Sequence, residues 1–162
     1  MVGIGYDIHL LVPERQLFLG GVQIDFPMGL AGHSDGDVLI HAICDALLGA
    51  ANLGDIGRHF SPDDDRYKDI SSLKLLNSVS KFLKNSGLMV KYIDTVIIAE
   101  APRILPHVDK MKTAIANTLA ISSDAISIKG KTNEGIGEIG EGKAIAAWAI
   151  CQIGRIYATP ER

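Results

Sequence analysis

Only two of the 162 residues are cysteine, Cys44 and Cys151, and they form no C-x-x-C pair. That spacing supports neither a disulfide framework nor a cysteine-ligated zinc site, and it fits a reducing compartment. Long hydrophobic runs are missing too. No stretch reaches transmembrane length, and the N-terminus lacks the charged start and long apolar core of a signal peptide. No membrane partner is expected. Basic excess is also absent, since 16 Lys and Arg stand against 19 Asp and Glu, a formal net charge of −3. No nucleic-acid partner is expected either. A polyanionic small molecule stays admissible, because charges more than about 8 Å away are screened at physiological ionic strength and local groups decide. Internal repeats and linkers are lacking, so the chain reads as one domain.

What is present is an ordinary globular balance of 47% hydrophobic and 22% charged residues, in a chain long enough to bury a real core. Val2 to Leu11 reads as a strand, residues 13–16 as a turn, and Leu17 to Ile24 as a second strand with a bulge at Gly20-Gly21. A helix is expected from Asp37 to about Ala51, with Gly54 as its left-handed terminator. Residues 55–69 form a long polar connection of the kind that is often functional. Ser71 or Ser72 opens another helix, closed by Gly87. The β-branched run Tyr92 to Ala99 reads as a strand, His107 to Leu119 as a helix, and Ile126 to Lys129 as a strand. The alanines of residues 144–156 permit a helix, but the Ile, Trp and Cys content favours a buried strand. This order predicts a single α+β domain.

Polar, metal-capable side chains cluster in two apolar contexts, Asp7-Ile8-His9 and the stretch from Gly32 to His41. On a strand, residues two apart share a face, so Asp7 and His9 project together while Ile8 points away. His41 follows Asp37 on the predicted helix. One carboxylate and two imidazoles make a three-ligand set that leaves a fourth coordination position open, as in catalytic zinc sites. The alternative is a hydrogen-bonded core histidine and an Asp37 that only caps a helix. Asp45, one turn beyond His41, is either a carboxylate behind a metal ligand or part of a solvated face; Cys44 is a small core residue. Gly32-His33-Ser34 could offer an imidazole, a hydroxyl and backbone N–H groups to phosphate. Residues 129–132 have the composition of an anion site, and Glu134 is an oxygen ligand of the type magnesium accepts; a flexible charged hairpin is the alternative.

Several blocks together resemble the 2-C-methyl-D-erythritol 2,4-cyclodiphosphate synthase family of the non-mevalonate isoprenoid pathway. They are G-Y-D-I-H, G-G-V, G-H-S-D-G-D-V-L-I-H-A-I-C-D-A-L-L-G-A, G-D-I-G, A-P-R-I-L-P-H and K-T-N-E-G-I-G. The resemblance implies one synthase-like domain over residues 1–157 with a short tail at 158–162. It implies a mixed sheet covered by helices on one face, and a homotrimer with active sites between subunits. It further implies conversion of 4-diphosphocytidyl-2-C-methyl-D-erythritol 2-phosphate to the cyclic diphosphate with release of CMP. Asp7, His9 and His41 would hold zinc, and Glu134 a magnesium or manganese ion on the diphosphate. His33 and Thr132 would stabilise the phosphates in the transition state. Substrate would lie against Asp7, Ile8, His9, His33 and Ser34, and its erythritol part against Asp55, Ile56, Gly57, Phe60, Ser61, Pro62, Asp63 and Asp64. The segment Ala99, Glu100, Ala101, Pro102, Arg103, Ile104 and Leu105 would hold cytosine, and Lys131, Thr132, Asn133 and Glu134 the diphosphate.

The family places such a protein in the bacterial cytoplasm, or in an organellar stroma after loss of a transit peptide. This chain departs from the pattern at Ser61-Pro62 and in the glycine-rich loop, where Glu138 and Glu141 would repel an anion from the trimer axis. A zinc phosphohydrolase and a non-enzymatic metal-stabilised binding protein are the rival readings.

Overall fold

The computed structural model describes residues 1–61 and 63–156. In chain order its strands and helices are β1 (Val2–Pro13), β2 (Leu17–Leu19), β3 (Val22–Ile24), β4 (Met28–Leu30), α1 (Val38–Ala50) and α2 (Ile56–His59). There follow α3 (Ser72–Asn85), β5 (Leu88–Ile98), α4 (Val108–Leu119), β6 (Ile126–Lys131), α5 (Gly137–Gly140) and β7 (Ala144–Arg155). A five-stranded sheet runs in the order β4-β1-β7-β5-β6. Only β5 and β6 pair in parallel, so the sheet is mixed, as expected.

The alternation of β1 decides which face is which. Its odd-numbered residues turn toward α1, and its even-numbered ones toward the uncovered side. α1 lies backbone to backbone on the strand. A Cβ added at Gly5 would sit 2.0 Å from the carbonyl oxygen of Ala42, and one at Gly3 would sit 2.1 Å from that of Ala46. Glycine is required there by close approach. The same closeness explains the alanines of β7, because Ala147 and Ala149 face α1 and are fully buried. Leu39, Ile40, Ile43, Leu47 and Leu48 of α1 complete the core with Ile93, Ile97 and Ile145. α3 and α4 pack on one another and cover β5 and β6 on the same side.

The opposite face is apolar and open. Val2, Ile4, Tyr6, Ile8 and Leu10 from β1 stand beside Trp148 and Ile150 from β7, each at least 41% exposed. The Tyr6 and Trp148 rings pack at 4.4 Å between centroids. A continuous apolar stripe of this kind is the type of surface through which proteins contact a partner or a ligand.

Two local expectations are corrected. Residues 17–24 form a two-stranded hairpin instead of one bulged strand, because Gly20 and Gly21 both take positive φ (60° and 75°) and make a two-residue turn. The left-handed residue ending α1 is Asn52 (φ 57°), not Gly54. The N–H of Asn52 donates to the Gly49 carbonyl and that of Leu53 to Leu48, closing the helix before Gly54 is reached.

Candidate active site and metal centre

The helix-covered side of β1 presents Asp7 and His9 near the start of α1. Asp37 fixes that start. Its Oδ1 accepts from the N–H of Ile40 (3.1 Å) and Gly20 (2.9 Å), and its Oδ2 from Gly21 (2.6 Å). One buried carboxylate thus caps the helix and ties the β2–β3 hairpin to it. Burial raises its pKa above the ordinary carboxylate value, against the pull of these donors.

His41, on the first turn of α1, meets the β1 pair. Asp7 Oδ2 lies 2.8 Å from His9 Nε2 and 2.9 Å from His41 Nδ1, and the two imidazole nitrogens are 3.2 Å apart. The three residues can each direct one ligand atom at a common point. Burial acts to raise the Asp7 pKa, but the hydrogen bonds and charges of His41 and His9 outweigh it and hold the carboxyl well below the carboxylate range. Burial acts to lower His41, and Asp7, with Asp37 and Asp35 behind it, lifts it above the ordinary imidazole value. Two half-buried imidazole nitrogens converging on one carboxylate oxygen fit a divalent cation, which would replace shared protons with coordination.

The far side of His41 is equally committed. Its Nε2 lies 3.0 Å from Ser34 Oγ and 3.0 Å from Ser72 Oγ. Ser72 in turn donates through its hydroxyl and its N–H to the Asp35 carboxylate. Fixing the outer nitrogen sets the ring so that Nδ1 faces the metal position. Asp35 belongs to the polar stretch from Gly32 to His41, but along the chain Ser72 reads only as a helix cap, and nothing there signals a contact 37 positions away. Ser34, expected against substrate, is buried with its hydroxyl on His41.

Around the trio lies a pocket of about 280 Å³ lined also by His33, Ser34, Asp45, Ile56, Gly57, Phe60, Tyr67 and Leu75. Among the described residues Asp45 makes no hydrogen bond to a metal-ligand side chain. Its carboxylate accepts the Ile56 N–H at 2.7 Å, and so anchors the segment that forms the pocket wall. Asp55 caps α2 by accepting from Arg58 N–H (2.9 Å). Farther along, Asp64 is held by the Arg66 guanidinium through contacts of 2.6 and 3.0 Å, and Ser61 Oγ accepts the Asp63 N–H. The expected contact Pro62 and the tail 158–162 lie outside the described residues. Cys44 is fully buried in the helix core, and burial pushes its thiol pKa up.

A second pocket, of about 420 Å³, is lined by Ala99, Glu100, Pro102, Arg103, Ile104, Leu105, the end of β6 from Ile128 and Thr132 just beyond it. Glu100 accepts the Asn133 N–H at 2.7 Å, which folds the following loop back over the rim. Thr132 Oγ1 donates to Glu134 Oε1 at 2.7 Å. Lys129, Lys131 and Thr132 all line this pocket, and the Lys129 ammonium is engaged by Asp94 at 2.7 Å. No lining residue is common to the two pockets. His33 and Thr132, expected as a pair, therefore line separate pockets of the one chain. Ile8 projects from the open sheet face, away from both.

Known proteins add independent support. The YgbB family model matches residues 1–154. The 2-C-methyl-D-erythritol 2,4-cyclodiphosphate synthase of Desulforamulus reducens is 54% identical over 152 residues, 94% of this chain and 97% of its own. The synthase of the same name from Lachnospira eligens is 50% identical over 155 residues, covering 96% and 85% of the two chains. Among solved structures, IspF of Plasmodium falciparum in complex with CDP superposes with a TM-score of 0.85 at 33% identity, covering 96% of each chain. A match of this depth, running through both pockets and nearly from end to end, makes the chain a member of the YgbB family of 2-C-methyl-D-erythritol 2,4-cyclodiphosphate synthases.

Proposed function

We propose that the protein closes 4-diphosphocytidyl-2-C-methyl-D-erythritol 2-phosphate to 2-C-methyl-D-erythritol 2,4-cyclodiphosphate, expelling CMP. An oxygen of the 2-phosphate attacks the β-phosphorus, and the bond from that phosphorus to the oxygen bridging to CMP breaks. No protein nucleophile is needed. Catalysis consists of folding a flexible polyanion back on itself and neutralising its charge. The observation that carries the reading is the convergence of Asp7, His9 and His41 at the wall of a pocket in a member of this family.

Asp7, His9 and His41 would hold zinc, which when bound supplies a Lewis acid for a phosphoryl oxygen. Glu134 would hold magnesium or manganese on the diphosphate. His33 lies beside the trio and would donate to the attacking phosphate, with Ser34 fixing His41 behind it. Ile56, Gly57 and Phe60, with Asp55 and residues 61–64, would enclose the erythritol portion. The rim from Ala99 to Leu105 would take cytosine, in keeping with the CDP of the solved relative. Thr132, with Lys131 and Asn133, would close on the diphosphate.

A single chain leaves these halves in two pockets. Joining them calls for a second copy, and the open apolar sheet face supplies the surface for association. A homotrimer with active sites between subunits satisfies both. Residues 1–157 would act as one catalytic unit. The bacterial relatives favour the cytoplasm, and no helix among the described residues is long and apolar enough to cross a membrane.

Incubation of purified protein with the diphosphocytidyl substrate and a divalent cation should release CMP and the cyclic product in equal amounts. A zinc-loaded protein that releases no CMP would overturn the proposal. In labelled water, incorporation of solvent oxygen would reassign the protein as a phosphohydrolase.

A further inference from the structure

We propose that Arg15 is a positioning residue for His33, acting through the two carbonyls that flank it; this rests on the role given to His33 above. Nothing in the family blocks points to Arg15, which sits in the turn between β1 and β2. Its guanidinium donates from Nη1 to the Gly32 carbonyl (3.0 Å) and from Nη2 to the Ser34 carbonyl (2.7 Å). The two acceptors are the peptide oxygens on either side of His33, so the planar fork straddles that one residue. A forked, rigid donor pair suits this task, and a lysine ammonium does not reproduce it.

The remaining backbone of the segment is held by residues 69 and 70. The N–H of Asp69 donates to the His33 carbonyl (2.8 Å), and that of Asp35 to Ile70 (3.1 Å). The N–H of Ala31 donates to Leu10, and β4 pairs with the last residues of β1, which sets the turn carrying Arg15 beside the segment it grips. His33 therefore stands on a short loop whose carbonyls are fixed at three successive positions, two of them by one side chain. An imidazole that must meet a phosphate in one geometry gains from such fixing, because misplacement by about 1 Å can cost about 10²-fold in rate. Among the described residues Arg15 has no hydrogen bond or ion pair to the metal trio, but it holds Ser34, whose hydroxyl meets His41, so bound zinc is scored beside kcat to separate positioning from metal loading.

The test compares wild type, Arg15→Ala, Arg15→Lys, His33→Ala and Arg15→Ala/His33→Ala, scoring kcat, KM and bound zinc. Arg15→Ala should lower kcat by about 10–100-fold with KM and zinc content held. Arg15→Lys, able to meet one carbonyl at a time, should fall between it and wild type. In the His33→Ala background, loss of Arg15 should change kcat by less than about twofold, because the clamp acts through the imidazole. A kcat for Arg15→Ala within about twofold of wild type overturns the inference, as does an equal drop in both backgrounds or a drop that tracks loss of zinc. Should Arg15→Ala fail to fold, Arg15→Lys decides: full kcat overturns the inference, and about a tenfold loss at full zinc content upholds it. A wild type that releases no CMP overturns the functional reading and this inference together. An active wild type with an indifferent Arg15 overturns this one alone.

Discussion

The two pockets are built on opposite plans. Around the metal position almost every polar atom is already spoken for, with Asp7, His9, His41, Ser34, Ser72 and Asp35 forming a continuous network across β1, α1 and α3. The second pocket is a rim of backbone and exposed charge in which Glu100 and Thr132 merely shape a loop. The first is organised before anything binds, and so can impose geometry on a cation and a phosphate. The second engages its donors in exposed, local contacts that a ligand can displace. A reaction that only folds and cyclises its substrate can use both, one end clamped and the other adaptable.

The largest effect should come from attacking the organised side. His41→Ala should lower turnover by at least about 10³-fold, the worth of several kcal/mol of metal-borne charge stabilisation, while the far-ultraviolet circular dichroism stays native. Loss of the fold instead would make the metal a structural one. Next in size is separation of the two halves. Ile4→Asp places a charge on the open sheet face and, if the proposed assembly is right, should weaken association by about 10–100-fold, read by sedimentation, with activity falling alongside the associated form. An active monomer would break the idea that the pockets are completed across copies. Ser72→Ala should then cost about 10–100-fold in zinc affinity by chelator competition, because the outer nitrogen of His41 loses a partner.

The smallest effect is a pH trend whose sign depends on the metal. Without metal, the raised His41 contributes stability that is complete below about pH 6.5 and is lost as pH rises through its folded value. The lowered Asp7 contributes above about pH 3.9 and is lost as pH falls through its own folded value. Chelated protein should therefore melt at a lower temperature at pH 8 than at pH 6 on account of His41, Asp7 being ionised at both. Zinc-loaded protein should move the other way, since the ligands bind metal only when deprotonated. Parallel melting curves would contradict the shared-ligand arrangement.

Much of the organised pocket could be read from the chain, because period-two spacing put Asp7 and His9 on one face and a capping Asp37 opened the helix bearing His41. The single α+β domain followed from strand and helix signals in the same way, whereas the mixed sheet came only with the family resemblance. The Gly20-Gly21 turn was misread as a bulge because positive φ at both glycines is a property of the turn, not of the flanking apolar pattern. The link from Ser72 to Asp35 and His41 was invisible for a different reason. These residues are distant in sequence, and a serine at a helix start already has a local explanation. That His33 and Thr132 line different pockets also lies beyond single-chain pattern, since it depends on how strands are ordered in the sheet.

Replacing glycine by alanine is a common way to harden a protein, since it narrows the unfolded ensemble at little expense to the native one. At Gly3 and Gly5 that route is shut. A methyl group there would wedge the strand from the helix and carry His41 out of reach of its two partners, so attempts at thermostabilisation should pass these positions by. The spacing that lets three side chains share one ion is thus set by the smallest residues in the strand.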